Sequence, residues 1–436
     1  MFLYKAAAHI ICEPLSFLFN LSIKESTVPT TWKHAVVTPI PKLKCCTLQD
    51  LRPISLLPIP IKVLETIVLT HLKDDLVRAY GPDQFGFRPK SSTACALISL
   101  HDYCMKCFDD PRVSGIQITA YDFSKAFDRL KYEIILKRLL ESHIPISITK
   151  WIKSYLEDRT QCVKIGTAES EVAAVLSGVP QGSVLAPYLF SLVTGSFDIS
   201  HIPSRVIKYA DDFTICVPLF RDCENEHVLS AHNALVSWSE ENSLPLNVNK
   251  CKVLAIPRIS DFTPVNLPAI SFVDELRLLG VTFDANYNWS KHIDRIIRSA
   301  SRNLFIVRNL KNVFDTQTLI DVFNSIVRSL LEYCSPLFIG LSNENSVRLQ
   351  RIQTRFHKYL CGPECCSHIL EPLSKRREAA AVKLFIQAKA QDHVLHCMLP
   401  PISRSGRVIL PPVSHQRRLR SFIFKTAQLI NALHVR

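Results

Sequence analysis

Three aspartates in this chain stand where strand-like sequence ends. Asp122 falls near the end of the alternating run Ile116 to Phe123, and Asp211 and Asp212 sit between two apolar stretches, from Val206 to Val217. Unpaired charges set among apolar strands are expensive. If those strands are neighbours in one sheet, the carboxylates meet in one acidic spot, and their repulsion raises their pKa values unless a cation neutralises them. Mg²⁺ suits such a spot, because it takes hard oxygen ligands and keeps waters for a substrate phosphate. Two such ions about 3.5–4 Å apart would stabilise the attacking and leaving oxygens of an in-line phosphoryl displacement. Asp-Asp between strands is also ordinary turn chemistry, and for that pair alone the turn is the better reading.

The elements that must hold these residues are legible as patterns. Along Ile116 to Phe123, Ile118, Ala120 and Asp122 alternate with Gln117, Thr119 and Tyr121, which predicts a half-buried strand. A helix is expected from about Asp128, with Tyr132, Ile135, Leu136 and Leu139 on one face, and another over Val184–Val193 after a Pro-Gln-Gly turn. Val206 to Val217 predicts a hairpin around Ala210-Asp211-Asp212. His34 to Ile40 predicts a strand, and Thr66 to Leu76 a helix. Strands mixed with helices indicate an α+β body. Beyond residue 286 the pattern turns helical. Ile293, Ile296, Ile297, Ala300 and Leu304 form one stripe, with Lys291, Arg295, Arg298 and Arg302 opposite. Val347 to Leu360 repeats the design with Arg348, Arg351, Arg355 and Lys358.

Charge follows the same division. Residues 286–436 hold 23 Lys and Arg against 9 Asp and Glu, a balance of +14, whereas the first 285 residues are nearly neutral. A neutral body joined to a basic third suggests catalysis coupled to gripping a polyanion. With 47% hydrophobic and 21% charged residues the composition is that of a folding chain, not a disordered one. No apolar run approaches the roughly 18–20 residues of a membrane helix, and Met1 to Pro14 shows no signal-peptide pattern. An intracellular protein is expected, in cytoplasm or nucleus, without a membrane partner. Its 15 cysteines are then reduced: Cys104-x2-Cys107 lacks the second pair of a structural zinc site, and Cys361/Cys365/Cys366/His368 would need His357 or Cys397 as a loosely spaced helper.

The motifs in combination carry further than any one of them. Tyr121-Asp-Phe-Ser-Lys-Ala-Phe-Asp128, Ser177-Gly-Val-Pro-Gln-Gly-Ser183 and Tyr209-Ala-Asp-Asp212, in this order, resemble the reverse transcriptases. The likeness is to the LINE-type (non-LTR) retrotransposon enzymes and, among them, the jockey-like branch. Trp32–Lys42, Leu51–Leu57 and Gln84–Lys90 look like the family's fingers blocks, Asn249–Lys252 and Leu278–Val281 like its later palm blocks, and Leu331–Ser335 like its thumb. Two departures stand out: Val193–Asp198 replaces an Asn-Asp-Leu stretch, and Cys251 replaces Thr or Ser.

The resemblance implies an RNA-directed DNA polymerase that adds deoxynucleoside triphosphates to a DNA primer 3′-OH on an RNA template, using two Mg²⁺ ions. It implies Asp122, Asp211 and Asp212 as metal ligands and Lys250 as general acid at the leaving pyrophosphate, with Lys252 competing for that role. Arg52 is expected to clamp the triphosphate, helped by Lys42 and Arg88. Phe127 is expected to exclude a ribose 2′-OH, and Gln181 and Gly182 to lie against nucleotide and template. Lys291, Arg295, Arg298 and Arg302 are expected to bind nucleic acid. The implied architecture is a right hand: fingers and palm with an antiparallel sheet in 1–285, a basic helical thumb in 286–400 and a loosely packed tail in 401–436. The chain is then the polymerase and thumb portion of an element, lacking the N-terminal endonuclease; a silent nucleic-acid-binding remnant is the alternative.

Overall fold

The computed structural model describes residues 6–41, 51–221, 224–361 and 370–433. Helix α1 (Ala8–Lys24) leads into strands β1 (His34–Pro41) and β2 (Leu51–Leu56) and helix α2 (Ile59–Ala79), which buries Ile61, Leu64, Val68, Leu72 and Leu76 along one stripe. Ser92 then caps α3 (Thr93–Asp109) by accepting from the Cys95 N–H, and β3 (Val113–Tyr121) follows. Two helices, α4 (Tyr132–Glu141) and α5 (Ile146–Leu156), precede β4 (Arg159–Ile165), β5 (Ala168–Glu169) and β6 (Ala173–Val175). Helix α6 (Ala186–Gly195), the hairpin β7 (Arg205–Tyr209) and β8 (Asp212–Phe220), α7 (Glu226–Glu241), β9 (Lys252–Pro257) and β10 (Ser271–Phe272) come next. A second hairpin, β11 (Glu275–Leu278) with β12 (Val281–Asp284), introduces the helices α8 (Ser290–Asn309), α9 (Thr316–Phe323), α10 (Asn343–Cys361), α11 (Leu373–Ala388) and α12 (Phe422–Leu433).

The strands make two main sheets. One has the order β2-β1-β4-β5 with β6 also on β4. The other has the order β10-β9-β3-β8-β7, with β3 antiparallel to both β8 and β9. This second sheet divides the core. Ile116, Ile118, Cys216 and Leu254 pack with α3 and the C-terminal helices, while Tyr121, Phe213, Ile215 and Val253 pack with α2, α5, α6 and α7. The expectation of a half-buried β3 is therefore corrected: Val113 to Thr119 are buried on both faces. Its polar alternation misled because Gln117 is paired inside, donating to the Val265 carbonyl and accepting from the Val265 N–H, both at 3.0 Å.

Two further expectations change. The core does not break near residue 285, since palm-sheet residues and Ile293, Ala300, Phe385 and Phe422 belong to one cluster. Nor are residues 401–433 of the expected 401–436 tail loosely packed. In α12, Phe422, Ile423, Phe424 and Ala427 are buried, and Arg418 pairs with Asp109, whose carboxylate also accepts from the Ser414 and His415 N–H groups. Prolines 400, 401, 411 and 412 interrupt the sequence pattern and hide this helix. The Cys361/Cys365/Cys366/His368 cluster lies outside the described side chains, and Cys104 and Cys107 are buried thiols.

Two buried histidines tie the palm to its C-terminal helices. His101 stacks on Tyr287 and bonds its hydroxyl at 3.1 Å; the His292 Nδ1 accepts from the Thr282 N–H at 3.3 Å. Burial pushes each down to about 4, with Arg295 and Arg277 adding to the effect at His292. A folded-state value below the ordinary one means stability present near neutral pH and lost as pH falls from about 6.5 towards 4, on the order of 3 kcal/mol at most for each. The thermal midpoint of the chain should fall over that range, and His292→Gln should make the fall shallower. An identical pH profile for the variant would contradict this role.

Candidate active site

The β3–β8 ladder brings Asp122 towards aspartates that the sequence holds 89 and 90 positions away. The ladder ends where Tyr121 pairs with Phe213, so that Asp122 and Asp212 are the residues just beyond that last rung on the two strands. Tyr209 pairs with Asp212, so Ala210 and Asp211 form a two-residue turn, with Ala210 at φ +56° in the left-handed region. Dense packing, with Asp211 and Asp122 as additional causes, raises Asp212 to about 6, although its carboxylate still opens to solvent. Asp212 thus feels the charges of both Asp211 and Asp122.

Lys250 reaches this spot. Its ammonium lies 3.9 Å from the Asp122 carboxylate and remains mostly exposed. Lys252 is turned away and donates to Ser271 at 2.9 Å, so the geometry favours Lys250 of the two. The Asp122 backbone is itself clamped, its carbonyl accepting from the Asn247 N–H at 2.7 Å. Among the described residues no group of three His, Cys, Asp or Glu side chains forms a ready metal cage. Repulsion between like charges resists such crowding when nothing neutralises them.

The Ser177–Ser183 loop is fixed from two sides. Towards the palm, the Gly178 and Val179 N–H groups donate to the Leu130 and Phe127 carbonyls at 2.8 Å, and Gln181 Nε2 donates to Asp128 at 2.8 Å. Towards the fingers, the Ser55 N–H donates to the Gln181 carbonyl at 2.7 Å. Gly182, at φ +125°, leaves no room for a side chain: a Cβ would lie 2.7 Å from the Ser55 carbonyl oxygen. The close approach at Gly182 is therefore to β2. Arg52 is exposed on β2 two residues from Ile54, hence on the same face, and Ile54 faces Gly182. Arg88 is half-buried and donates to the Gly81 carbonyl at 2.8 Å, which makes it a brace for its own loop rather than an open clamp. Lys42 lies outside the described residues. Phe127 is half-buried and stacks on Phe190, ring centroids 4.4 Å apart.

Four cations were expected on one open face of α8. Lys291 and Arg295 instead pair with Glu275 of β11 at 3.1 and 3.7 Å, leaving Arg298 and Arg302 exposed. Glu275 precedes them on a separate element, so helical periodicity cannot reveal it. Two other residues were missed. Glu65, fully buried in α2, accepts from the Val184 and Leu185 N–H groups at 2.5 and 3.1 Å and so anchors the start of α6. Its signal is a lone acid at a stripe position, four residues after Ile61. Gly86 is the second. The segment before it runs along β7, with Lys208 N–H donating to Asp83 at 2.9 Å and Phe85 N–H to Lys208 at 2.8 Å. A Cβ on Gly86 would stand 2.6 Å from the Ala210 nitrogen. The aspartate turn rests on this glycine.

Residues 40–283 match the family described as reverse transcriptase (RNA-dependent DNA polymerase), more than half of the chain. The chain belongs to the reverse transcriptase family. It is 26% identical over 371 residues to the RNA-directed DNA polymerase from mobile element jockey of Drosophila melanogaster, which covers 78% of this chain and 39% of that protein. A probable RNA-directed DNA polymerase from transposon BS of the same fly is 27% identical over 326 residues, 70% of this chain and 35% of its own. This reverse transcriptase chain thus spans about two fifths of the length of those relatives. Its relatives are the jockey-like and other non-LTR retrotransposon polymerases that its motifs resemble. A solved apo telomerase from Candida tropicalis matches 97% of this chain and 68% of its own, at 12% identity and a TM-score of 0.45.

Thermal unfolding tests the seat of the turn. Gly86→Ala forces backbone apart and should cost on the order of 1–3 kcal/mol. Ala210→Gly relieves the left-handed φ and should not lower the midpoint. Equal midpoints for wild type and Gly86→Ala would mean that the two segments are not packed as described.

Proposed function

We propose that this reverse transcriptase chain adds deoxynucleotides to a primer 3′-OH on an RNA template, with Asp122, Asp211 and Asp212 as its metal ligands. The observation that carries this reading is the placement of Asp122, Asp211 and Asp212 at one end of the central sheet, where Asp212 is influenced by the charges of the other two. Their chemistry fits Mg²⁺: hard oxygen donors only, with Asp212 held above the usual carboxylate range by packing and by its two neighbours, a surplus of negative charge that a divalent cation relieves. When bound there, two such ions supply electrostatic stabilisation to the attacking and leaving oxygens.

The chain's own residues do the rest. Arg52, open on β2 and facing the Gly182 loop, binds the triphosphate through a guanidinium suited to bidentate phosphate contact. Gln181, tethered to Asp128, and Gly182 form the wall against which nucleotide and template lie. Phe127, braced by Phe190, stands where a 2′-OH would collide with it. As the primer 3′-hydroxyl loses its proton to solvent and its oxygen bonds to the α-phosphorus, the bond to pyrophosphate breaks, and Lys250 gives a proton to that leaving group. Arg298 and Arg302 take duplex phosphates without base readout. Among the described residues no helix is long and apolar enough to cross a membrane. Buried thiols such as Cys104 and Cys216, with sulfurs 3.6 Å apart, suit a reducing intracellular compartment.

Primer extension on an RNA template, with and without Mg²⁺, tests the reading. Extension should require the metal, and Asp211→Asn should lower it at least 1,000-fold, on the order of 4 kcal/mol of barrier, while template binding stays within about twofold. Extension that persists in Asp211→Asn would remove the assignment. Phe127→Val should raise ribonucleotide incorporation relative to deoxynucleotide by about tenfold or more. An unchanged ratio in a variant that still extends would reduce Phe127 to a packing residue.

A further inference from the structure

Asp128 holds the Ser177–Ser183 loop at three points. Its Oδ1 accepts from Gln181 Nε2 at 2.8 Å, and its carbonyl accepts from the Ser177 hydroxyl at 3.1 Å. Gly178 passes so close that a Cβ there would lie 2.7 Å from the Asp128 Cα. Asp128 is itself set by the helical turn Ala126–Arg129. Its N–H donates at 3.0 Å to the carbonyl of Lys125, a residue with a left-handed φ of +52°. The partner decides how the amide of Gln181 is turned. A carboxylate only accepts, so the amide must give its NH₂ to Asp128, and its other branch, Oε1, is an acceptor.

Asp128 and Gln181 line a cavity of about 460 Å³ between palm and fingers, within the range of sites that take one small ligand. The opposite wall is one face of the fingers sheet, where Ala35 of β1 stands beside Gln161 of β4 and Ser55 of β2 lies next in line. Arg52 and Ile54 alternate with Pro53 and Ser55 along β2, so the residue assigned to the triphosphate stands on the other face of that strand. Lys125 and Arg159 are the cations of the cavity wall and Asp128 is its acid. Lys125 is exposed, and Arg159 is buried, donating to the Tyr155 carbonyl at 3.0 Å. Asp128 follows Asp122 by six residues, which places it at most about 20–22 Å from that aspartate.

We propose that Asp128 is a positioning residue for template choice: it aims Oε1 of Gln181 into this cavity as the acceptor for the 2′-hydroxyl of an unpaired template ribonucleotide, with Lys125 on the adjoining phosphate. The proposal rests on the polymerase reading above and gives that reading a basis for preferring RNA. The 2′-hydroxyl is the donor that RNA carries and DNA lacks. A site built to bond a hydroxyl rejects the analogue without it, because its own polar group is then left unpaired. The template is the occupant because an incoming deoxynucleotide has no 2′-hydroxyl and its triphosphate belongs on the Arg52 face of β2.

Primer extension by the full chain on an RNA template and on a DNA template of the same sequence tests this, read as the ratio of kcat/KM on the two. The ratio is taken within one preparation, so a partly folded variant does not distort it. Asp128→Ala should lower the RNA-to-DNA ratio about fivefold or more, and so should Gln181→Ala. Because Asp128 acts through Gln181, adding Asp128→Ala to Gln181→Ala should move the ratio no further. Asp128→Asn keeps a carbonyl acceptor in place and should hold the ratio within about twofold of the parent. Equal losses on the two templates in Asp128→Ala, or no loss on either, leave the ratio unchanged and would overturn the proposal. Losses in the ratio that multiply in the double variant would overturn the route through Gln181. The polymerase reading is judged on the parent alone: if the parent extends on either template while the ratio ignores Asp128, only template choice is lost.

Discussion

Repulsion among Asp122, Asp211 and Asp212 is the constraint around which this molecule is arranged. Left to itself, a chain separates like charges; here three carboxylates stand at the end of one sheet, and Asp212 is raised to about 6, first by burial and then by the charges of Asp211 and Asp122. The restraint comes from backbone, which does not yield. The ladder between β3 and β8 ends with Asp122 and Asp212 just beyond its last rung, the carbonyl of Asp122 is tied to Asn247, and the segment ending at Gly86 lies under the Ala210–Asp211 turn. Ala210 keeps a left-handed conformation that an L-residue adopts at a cost. Such strain persists only where surrounding structure over-determines it.

That restraint requires a sheet that cannot flex, and the two-sided core supplies it. Strand β3 is buried against α3 and the C-terminal helices on one face and against the fingers-side helices on the other. The thumb-like region is part of this support. Tyr333 donates to the Leu279 carbonyl at 2.7 Å, and its ring approaches Gly280 closely, so the β11–β12 turn is held by a residue fifty-four positions downstream. Leu278 and Leu279, with Arg277, line a cavity whose other wall includes Tyr209 and Asp212.

What the sequence disclosed follows from the range of the interactions. The Pro-Gln-Gly turn and the hairpin were legible because their chemistry is local, turn residues between apolar runs; the aspartates stood out only through the order of the motifs and the family they resemble, since locally Asp211-Asp212 reads as a plain turn. The helices α2, α8 and α10 were legible from their stripes. Glu65, Gly86 and Glu275 were not, because each acts on a partner on another element: Glu65 on Val184, Gly86 on Ala210 and Glu275 on Lys291 of α8. The same limit explains Arg88, whose charge suggested a phosphate and whose structure gives it the Gly81 carbonyl. Gln117 made β3 look half-exposed because a paired amide inside a core has the same letter as one in water.

The central claim is that Asp122 and Asp211 share a divalent cation when nucleotide and primer are in place. Anomalous scattering from Mn²⁺ in crystals of the chain with an RNA template, a DNA primer and a non-hydrolysable deoxynucleoside triphosphate tests it most directly. The expected result is a pair of peaks about 3.5–4 Å apart, the spacing of two-metal sites, with at least one bound by both Asp122 and Asp211. Ordered nucleotide and primer with no peak between those two carboxylates would contradict it.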